Sequence, residues 1–476
     1  MEFLSFKFLA FVLAALVVYY LLPGRWQNLF LLGVSYYFYG TWSPPPPLFE
    51  GGTWSPLFPL FLLVLTIINF GLGHWLQKTR AKRAILWTGI LVNVAVLLWF
   101  MTAGGFLRNA PNFNVDMLYI LVFPVGISFY ALNSISYLID INLRLSKPTG
   151  NFVDFALYLA WFPKLISGPL ERARKFLPQL ADKRTVDNES LANSLTLILI
   201  GLFRTAILGN MLTLYLSAVP MSNPAAYGNP TLLWALVTFM FYLYNQFAGY
   251  TDIARGVSGL FGIQLSRNFN APFFSKDFSD FWQRWHISLS QWLRDYVYMP
   301  VSRAFLRRNP SRSNVPNLIV PPLVTMLISG LWHGADLNHI VWGALMGLFI
   351  LAENVRMLSR PAVAAASIPL WRRISSKVWL AALMSAATVP FMLDLQQTRV
   401  FFARLVNGWD GQMFDLRPLW IIALSLLVDW FQHRSGDEIV FRKWPAWSQA
   451  LLVAIISLAV IVIDHLQSAP PVFIYP

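Results

Sequence analysis

The chain has no cysteine among its 476 residues. That excludes a disulfide framework, a thiolate nucleophile and a thiolate metal site. Charge is also scarce. Only 12% of residues are Asp, Glu, Lys or Arg, against about a quarter in an ordinary soluble protein. No Gly-rich phosphate loop is present, no G-x-S-x-G stands between a strand and a helix, and no H-E-x-x-H occurs, which leaves nucleotide-binding, Ser-His-Asp hydrolase and zinc-protease readings without support.

What fills the chain instead is apolar: 57% of residues are hydrophobic. Stretches near the roughly 20 residues needed to cross a bilayer recur from end to end. The expected fold class is therefore an all-α polytopic integral membrane protein, a single membrane-embedded domain over residues 1–476. Spans are expected at 6–22, 26–40, 57–76, 84–103, 116–141, 191–219, 232–263, 319–332, 340–353, 379–395, 419–431 and 450–463, some of them re-entrant. Residues 6–22 lack a basic leader beyond Lys7 and a small-x-small cleavage site, and read as a retained helix.

The formal charge of +14 is scattered over short connections, which suits membrane orientation better than nucleic acid. Basic segments at 78–83, 144–147, 356–377 and 434–443 fall on one side of the span count. By the positive-inside bias that side is cytoplasmic, and both termini lie outside the cytoplasm. Anionic headgroups, or an anionic donor such as a coenzyme A thioester, would be drawn to the same face. The loop at 41–56 carries TWSP twice, as a semi-rigid local duplication.

Three regions carry polar groups at membrane depth. The run WFPKLISGPLERARK at 161–175 has two prolines and a glycine, which break a continuous helix. It reads either as a re-entrant segment lining a chamber or as a kinked helix ending in a basic loop. Tyr250, Asp252 and Arg255 lie in or at the end of an apolar helix. Asp252 and Arg255 are three apart on one face, so an ion pair is expected, with a substrate role as the alternative. Residues 277–297, DFSDFWQRWHISLSQWLRDYV, place Trp282, Leu289 and Leu293 at helical spacing from His286, predicting one interfacial amphipathic helix with His286 at the edge of its apolar face.

His333 sits in SGLWHGADLNHIVWG between two apolar helices, with Gly330 and Gly334 permitting close backbone approach. A neutral imidazole at that depth can accept a proton from a hydroxyl nucleophile. A hydrogen-bonded structural histidine fits the residue type equally. His339, six residues on, lacks the i+3 or i+4 spacing of a helical zinc pair, so no metal is expected.

The run FWQRWHISLSQWLRDYVYMP at 281–300, followed by LISGLWHG at 327–334, resembles the signature of membrane-bound O-acyltransferases. FPVGISFYALNSISYLIDI at 123–141, FPKLISGPLERARKF at 162–176 and FAGYTDIARGVSGLFGI at 247–263 resemble segments of the family's bacterial branch that includes the alginate O-acetyltransferases, in the same order. The resemblance implies a helical bundle with re-entrant segments and interfacial helices around a central tunnel. It implies His333 as the catalytic residue and His286 as a second functional position, with Trp285, Trp332 and Gly334 as tunnel wall. It further implies that the donor, acetyl-coenzyme A or another acyl thioester, arrives from the cytoplasm as a substrate and not as a permanently bound cofactor. Implied partners are membrane lipids, an extracytoplasmic acyl-accepting transferase and polysaccharide-synthesis machinery in a bacterial inner membrane.

Two departures bear on the acceptor. VSRAFLRRNPSR follows YMP in place of a glycine-rich basic loop, and RVFFAR at 399–404 only partly matches the late W-x-F-F-R motif. An alginate- or cellulose-like polysaccharide is the expected acceptor. A D-alanyl transfer to teichoic acid and, in a different class, a polysaccharide or lipid transporter using Asp252, Arg255 and Glu353 remain as alternatives.

Overall fold

The computed structural model describes residues 3–42, 55–108, 124–218, 223–311, 314–358, 369–409 and 416–466; the TWSP repeats and the first part of the 116–141 span fall largely outside them. The described residues are helical, with no strand among them. In chain order the helices are α1 (Phe6–Leu21), α2 (Gly24–Gly40), α3 (Leu57–Lys78), α4 (Lys82–Arg108), α5 (Ile127–Asn142), α6 (Phe152–Ala160), α7 (Phe162–Leu165), α8 (Ala173–Phe176), α9 (Asn188–Leu202), α10 (Asn210–Ala218), α11 (Asn229–Leu260), α12 (Phe278–Trp282), α13 (Ile287–Leu293), α14 (Met299–Arg308), α15 (Val315–His333), α16 (Leu337–Leu358), α17 (Leu370–Met392), α18 (Leu395–Asn407), α19 (Arg417–Ser435) and α20 (Ala446–Leu466). Among the described residues seven helices are long and apolar enough to cross a membrane. The multi-pass membrane class expected from composition is the observed one.

The helices group into two compact units, one built from residues within 1–198 and 250–266, the other from 199–249 and 267–474. In the first, α5 is buried on nearly every side, from Ile127 to Ile141, so its continuous apolar character reflects a core position rather than contact with lipid. α3 and α4 are joined by a reciprocal amide pair: Asn69 Nδ2 donates to Asn93 Oδ1 at 3.2 Å, and Asn93 Nδ2 to Asn69 Oδ1 at 2.8 Å. Such pairs link helices where the hydrophobic effect cannot, since lipid is as apolar as leucine.

The Pro-broken run in this unit is not a kinked helix. α7 ends at Leu165, and the irregular backbone from Ile166 to Arg172 is almost wholly buried before α8 begins. Non-helical backbone survives at membrane depth only when protein supplies its hydrogen-bond partners. Here Glu171 accepts from the Ser266 N–H and hydroxyl, and the Tyr158 hydroxyl donates to the Glu171 carbonyl at 2.9 Å. Asp252 and Arg255 form the expected ion pair at 3.2 Å.

In the second unit, α9 runs into a π-helical stretch, Phe203–Gly209, before α10. Its Arg204 is buried and donates to Asp429 of α19 at 2.6 Å and to Gln432 at 3.1 Å, while the Tyr244 hydroxyl of α11 donates to the same Asp429 oxygen at 2.8 Å. α15 and α16 form a tight antiparallel hairpin. The small surface of Gly330 lets the His339 carbonyl approach, and Gly343 does the same for Met326. Glu353 of α16 accepts from the Ser279 N–H at 3.0 Å and hydroxyl at 2.9 Å. It thereby pins the first turn of α12 at the end where a carboxylate meets the positive pole of a helix.

The expected single helix over 277–297 does not form. α12 stops at Trp282, α13 starts at Ile287, and a π-helical stretch, Arg294–Tyr298, leads into α14. The break lies at His286, whose φ of +42° puts a non-glycine residue in the left-handed region. That conformation costs roughly 1–3 kcal/mol and persists where surrounding contacts impose it.

Candidate active site

The contacts that impose the break come from the irregular chain ahead of α12. The Asn270 N–H donates to the Arg284 carbonyl at 2.9 Å, and the Ile287 N–H to the Asn268 carbonyl at 2.8 Å. The next free N–H of α13, on Ser288, donates to Asn268 Oδ1 at 3.1 Å. The first N–H groups of any helix lack partners inside it. Asn268, eighteen residues upstream, supplies them for α13 through both its carbonyl and its side chain. Helix α13 is thereby capped by a remote residue, and His286 is left as its strained first flank.

His286 is buried at 3% exposure. Its Nδ1 lies 3.3 Å from Asn268 Oδ1, and its ring stands edge-on to Phe247 at 4.8 Å and to Trp332 at 6.1 Å. Burial pushes its imidazole down to about 3, so it is neutral at physiological pH. His333 closes α15. It is half-buried, with Trp332 at 4.6 Å, Phe391 at 5.0 Å and Trp342 at 5.3 Å around its ring. The two histidines therefore both lie beside one indole, Trp332, which is itself buried.

His286 Nε2, His333 Nδ1 and Asn268 Nδ2 are enclosed in this aromatic surround and have no hydrogen-bond partner among the described residues. Buried polar atoms are nearly always satisfied, and exceptions gather where a ligand or a reaction will use them. A neutral imidazole presents an unprotonated ring nitrogen that can accept a hydrogen bond or a proton from a hydroxyl.

Of the residues singled out in the sequence, His286, His333 and Trp332 come together. Trp285 is stacked on Phe281 at 5.5 Å and edge-on to Phe269 at 5.2 Å. Gly334 lies against the ring of His339, where a Cβ would meet the ring carbon Cγ at 2.9 Å. His339 is held by Asp336 at 2.8 Å. The sequence reading missed Asn268, Phe247, Trp342 and Phe391. The last three are aromatic positions of helices and look like any packing residue in sequence. Asn268 lies on irregular backbone where no periodicity could single it out.

The model of the membrane-bound O-acyltransferase family matches residues 84–388. A probable alginate O-acetylase of Azotobacter vinelandii is 34% identical over 71% of this chain and 65% of its own length. A peptidoglycan O-acetyltransferase of Helicobacter pylori is 30% identical over 71% of this chain and 67% of its own. A teichoic acid D-alanyltransferase of Bacillus subtilis is 30% identical over 59% of this chain and 71% of its own. The chain spans slightly less than two thirds of the alginate relative's length.

Proposed function

The chain belongs to the membrane-bound O-acyltransferase family, and from that premise we propose that it transfers an acyl group, acetyl in the first instance, from a thioester to a hydroxyl of an extracellular polysaccharide. The observation that carries this reading is the pair of histidines beside Trp332, with His286 Nε2 and His333 Nδ1 enclosed and without a hydrogen-bond partner among the described residues.

In the proposed reaction His333 accepts the proton of the acceptor hydroxyl as its oxygen bonds to the thioester carbonyl carbon. Collapse of that adduct breaks the C–S bond, and the thiolate leaves with the electron pair. His286, also beside Trp332, positions the acceptor. The donor, acetyl-coenzyme A or a related thioester, reaches the site from the basic cytoplasmic face of a bacterial inner membrane. The product leaves on the opposite face, where both termini lie, through an extracytoplasmic partner.

The names of the relatives favour a polymer of the alginate or peptidoglycan kind over teichoic acid, whose transferases match less of the chain. A transporter is disfavoured because the charges it would use are already engaged, Asp252 with Arg255 and Glu353 with the start of α12. Reconstituted protein supplied with labelled acetyl-coenzyme A tests the reading. Wild type is expected to turn over the thioester, and His333→Ala, matched for folding, to lose about 10²–10⁴-fold in kcat. Full turnover in His333→Ala would remove this histidine from the chemistry.

A further inference from the structure

The hydrogen bonds around Asn268 determine more than the start of α13. A backbone N–H can only donate, so the side-chain atom of Asn268 that faces Ser288 N at 3.1 Å must be the oxygen. The Ser288 hydroxyl, at 2.9 Å, converges on the same oxygen. Turning the amide over would set an NH2 group against a backbone N–H, which the tie to Ser288 prevents.

That orientation leaves an oxygen opposite His286 Nδ1 at 3.3 Å. A carbonyl oxygen accepts and cannot donate, so the imidazole carries its proton on Nδ1. The ring is neutral, so the enclosed Nε2 carries a lone pair. The same constraint leaves Asn268 Nδ2 enclosed without a partner among the described residues, a donor that the amide leaves over because its oxygen is committed to three donors.

We propose that Asn268 is a positioning residue that holds His286 in the Nδ1–H tautomer, so that the enclosed Nε2 is a hydrogen-bond acceptor in the surround that His286 and His333 share through Trp332. The chemical consequence is selective. His286 can hold an O–H or N–H donor and cannot donate to a carbonyl oxygen, so its ligand is not the thioester carbonyl. Resting on the acyl-transfer reading, the partner of Nε2 is a hydroxyl of the acceptor adjacent to the one that gives its proton to His333. A polyhydroxylated sugar supplies two such groups side by side.

The test begins with a readout independent of turnover. The full chain, labelled with 15N at its six histidines and held in lipid nanodiscs, reports each ring's protonation through its one- and two-bond 1H–15N correlations. His286→Gln identifies the His286 signals. Wild type is expected to show a protonated Nδ1 and a bare Nε2, unchanged as pH falls from about 8 to about 5, because burial keeps the group neutral. Asn268→Ala should release the ring to the Nε2–H form and lower kcat by about 10²-fold, with KM for the thioester little changed.

Asn268→Asp keeps the accepting oxygens and should restore the Nδ1–H tautomer and part of kcat. Its carboxylate favours the imidazolium and raises the His286 pKa, so turnover in this variant should fall as pH drops through that raised value, where Nε2 becomes protonated and can no longer accept. If Asn268→Ala does not fold, the Asp variant carries the comparison. An Nε2–H signal in wild type, or an unchanged tautomer in Asn268→Ala, overturns the proposal. The expected tautomers in a protein that turns over no acyl thioester would refute the transferase reading while leaving the role of Asn268 standing.

Discussion

Alanine at Gly330 should leave the protein folded and strip it of most of its turnover. A Cβ at this position would meet the His339 carbonyl carbon at 3.1 Å and the Gly343 Cα at 3.3 Å, with the His339 oxygen closer still. Carbon–carbon contacts settle at about 3.5–4.0 Å, so α15 and α16 must part by roughly 0.5–1 Å. The obstacle is backbone, so no side chain can swing aside to relieve it. Overpacking of this size costs about 1–3 kcal/mol, which a protein of ordinary stability survives. The separation nevertheless moves His333, three residues along α15, relative to Trp342 on α16, whose ring lies 5.3 Å away. Misplacing a reacting group by about 1 Å can cost 10²-fold in rate. The assay is kcat for acetyl transfer, with thermal unfolding in detergent alongside. Gly33→Ala is the control, since a methyl there meets nothing within 4 Å. A folded Gly330→Ala with turnover within threefold of wild type would refute the claim that this glycine contact sets the position of His333.

Two further substitutions test how the fold is held. Arg204→Met should destabilise the protein by about 3–5 kcal/mol by leaving the Asp429 carboxylate buried without its cation, whereas Arg204→Met with Asp429→Leu should recover nearly all of that loss; equal damage in the single and double variants would show that the pair itself contributes the stability. Asn69→Leu or Asn93→Leu should each cost about 1 kcal/mol or slightly more in a detergent unfolding assay, and a double-mutant cycle should return a coupling of about 0.6–1.7 kcal/mol; no coupling would mean that the reciprocal amides do not bind α3 to α4.

Composition and periodicity were enough to establish the membrane class. A long apolar helix is a local property of its residues and of the bilayer, and it needs no information from elsewhere in the chain. The two histidines were legible for a similar reason. A titratable group next to glycine in an apolar stretch stands out by residue type, and the blocks around it resembled one family in one order. The Asp252–Arg255 pair was readable because three residues on a helix fix a face.

Only the tertiary structure decided the rest, and each case involves a partner distant in sequence. Residues 277–297 have helical spacing throughout, yet Asn268 supplies the backbone and side-chain acceptors that start a new helix at Ile287 and force His286 into the left-handed region. Periodicity cannot register a hydrogen bond from eighteen residues away. Arg204 and Asp429, 225 residues apart, went unremarked because neither has an opposite charge at helical spacing. His286 and His333 both come to lie beside Trp332 because two irregular connections turn the chain at those points. The sequence alone established the multi-pass helical membrane class and which side chains can carry a proton. Folding determined which of them face one another, because that depends on contacts between residues that no local pattern connects.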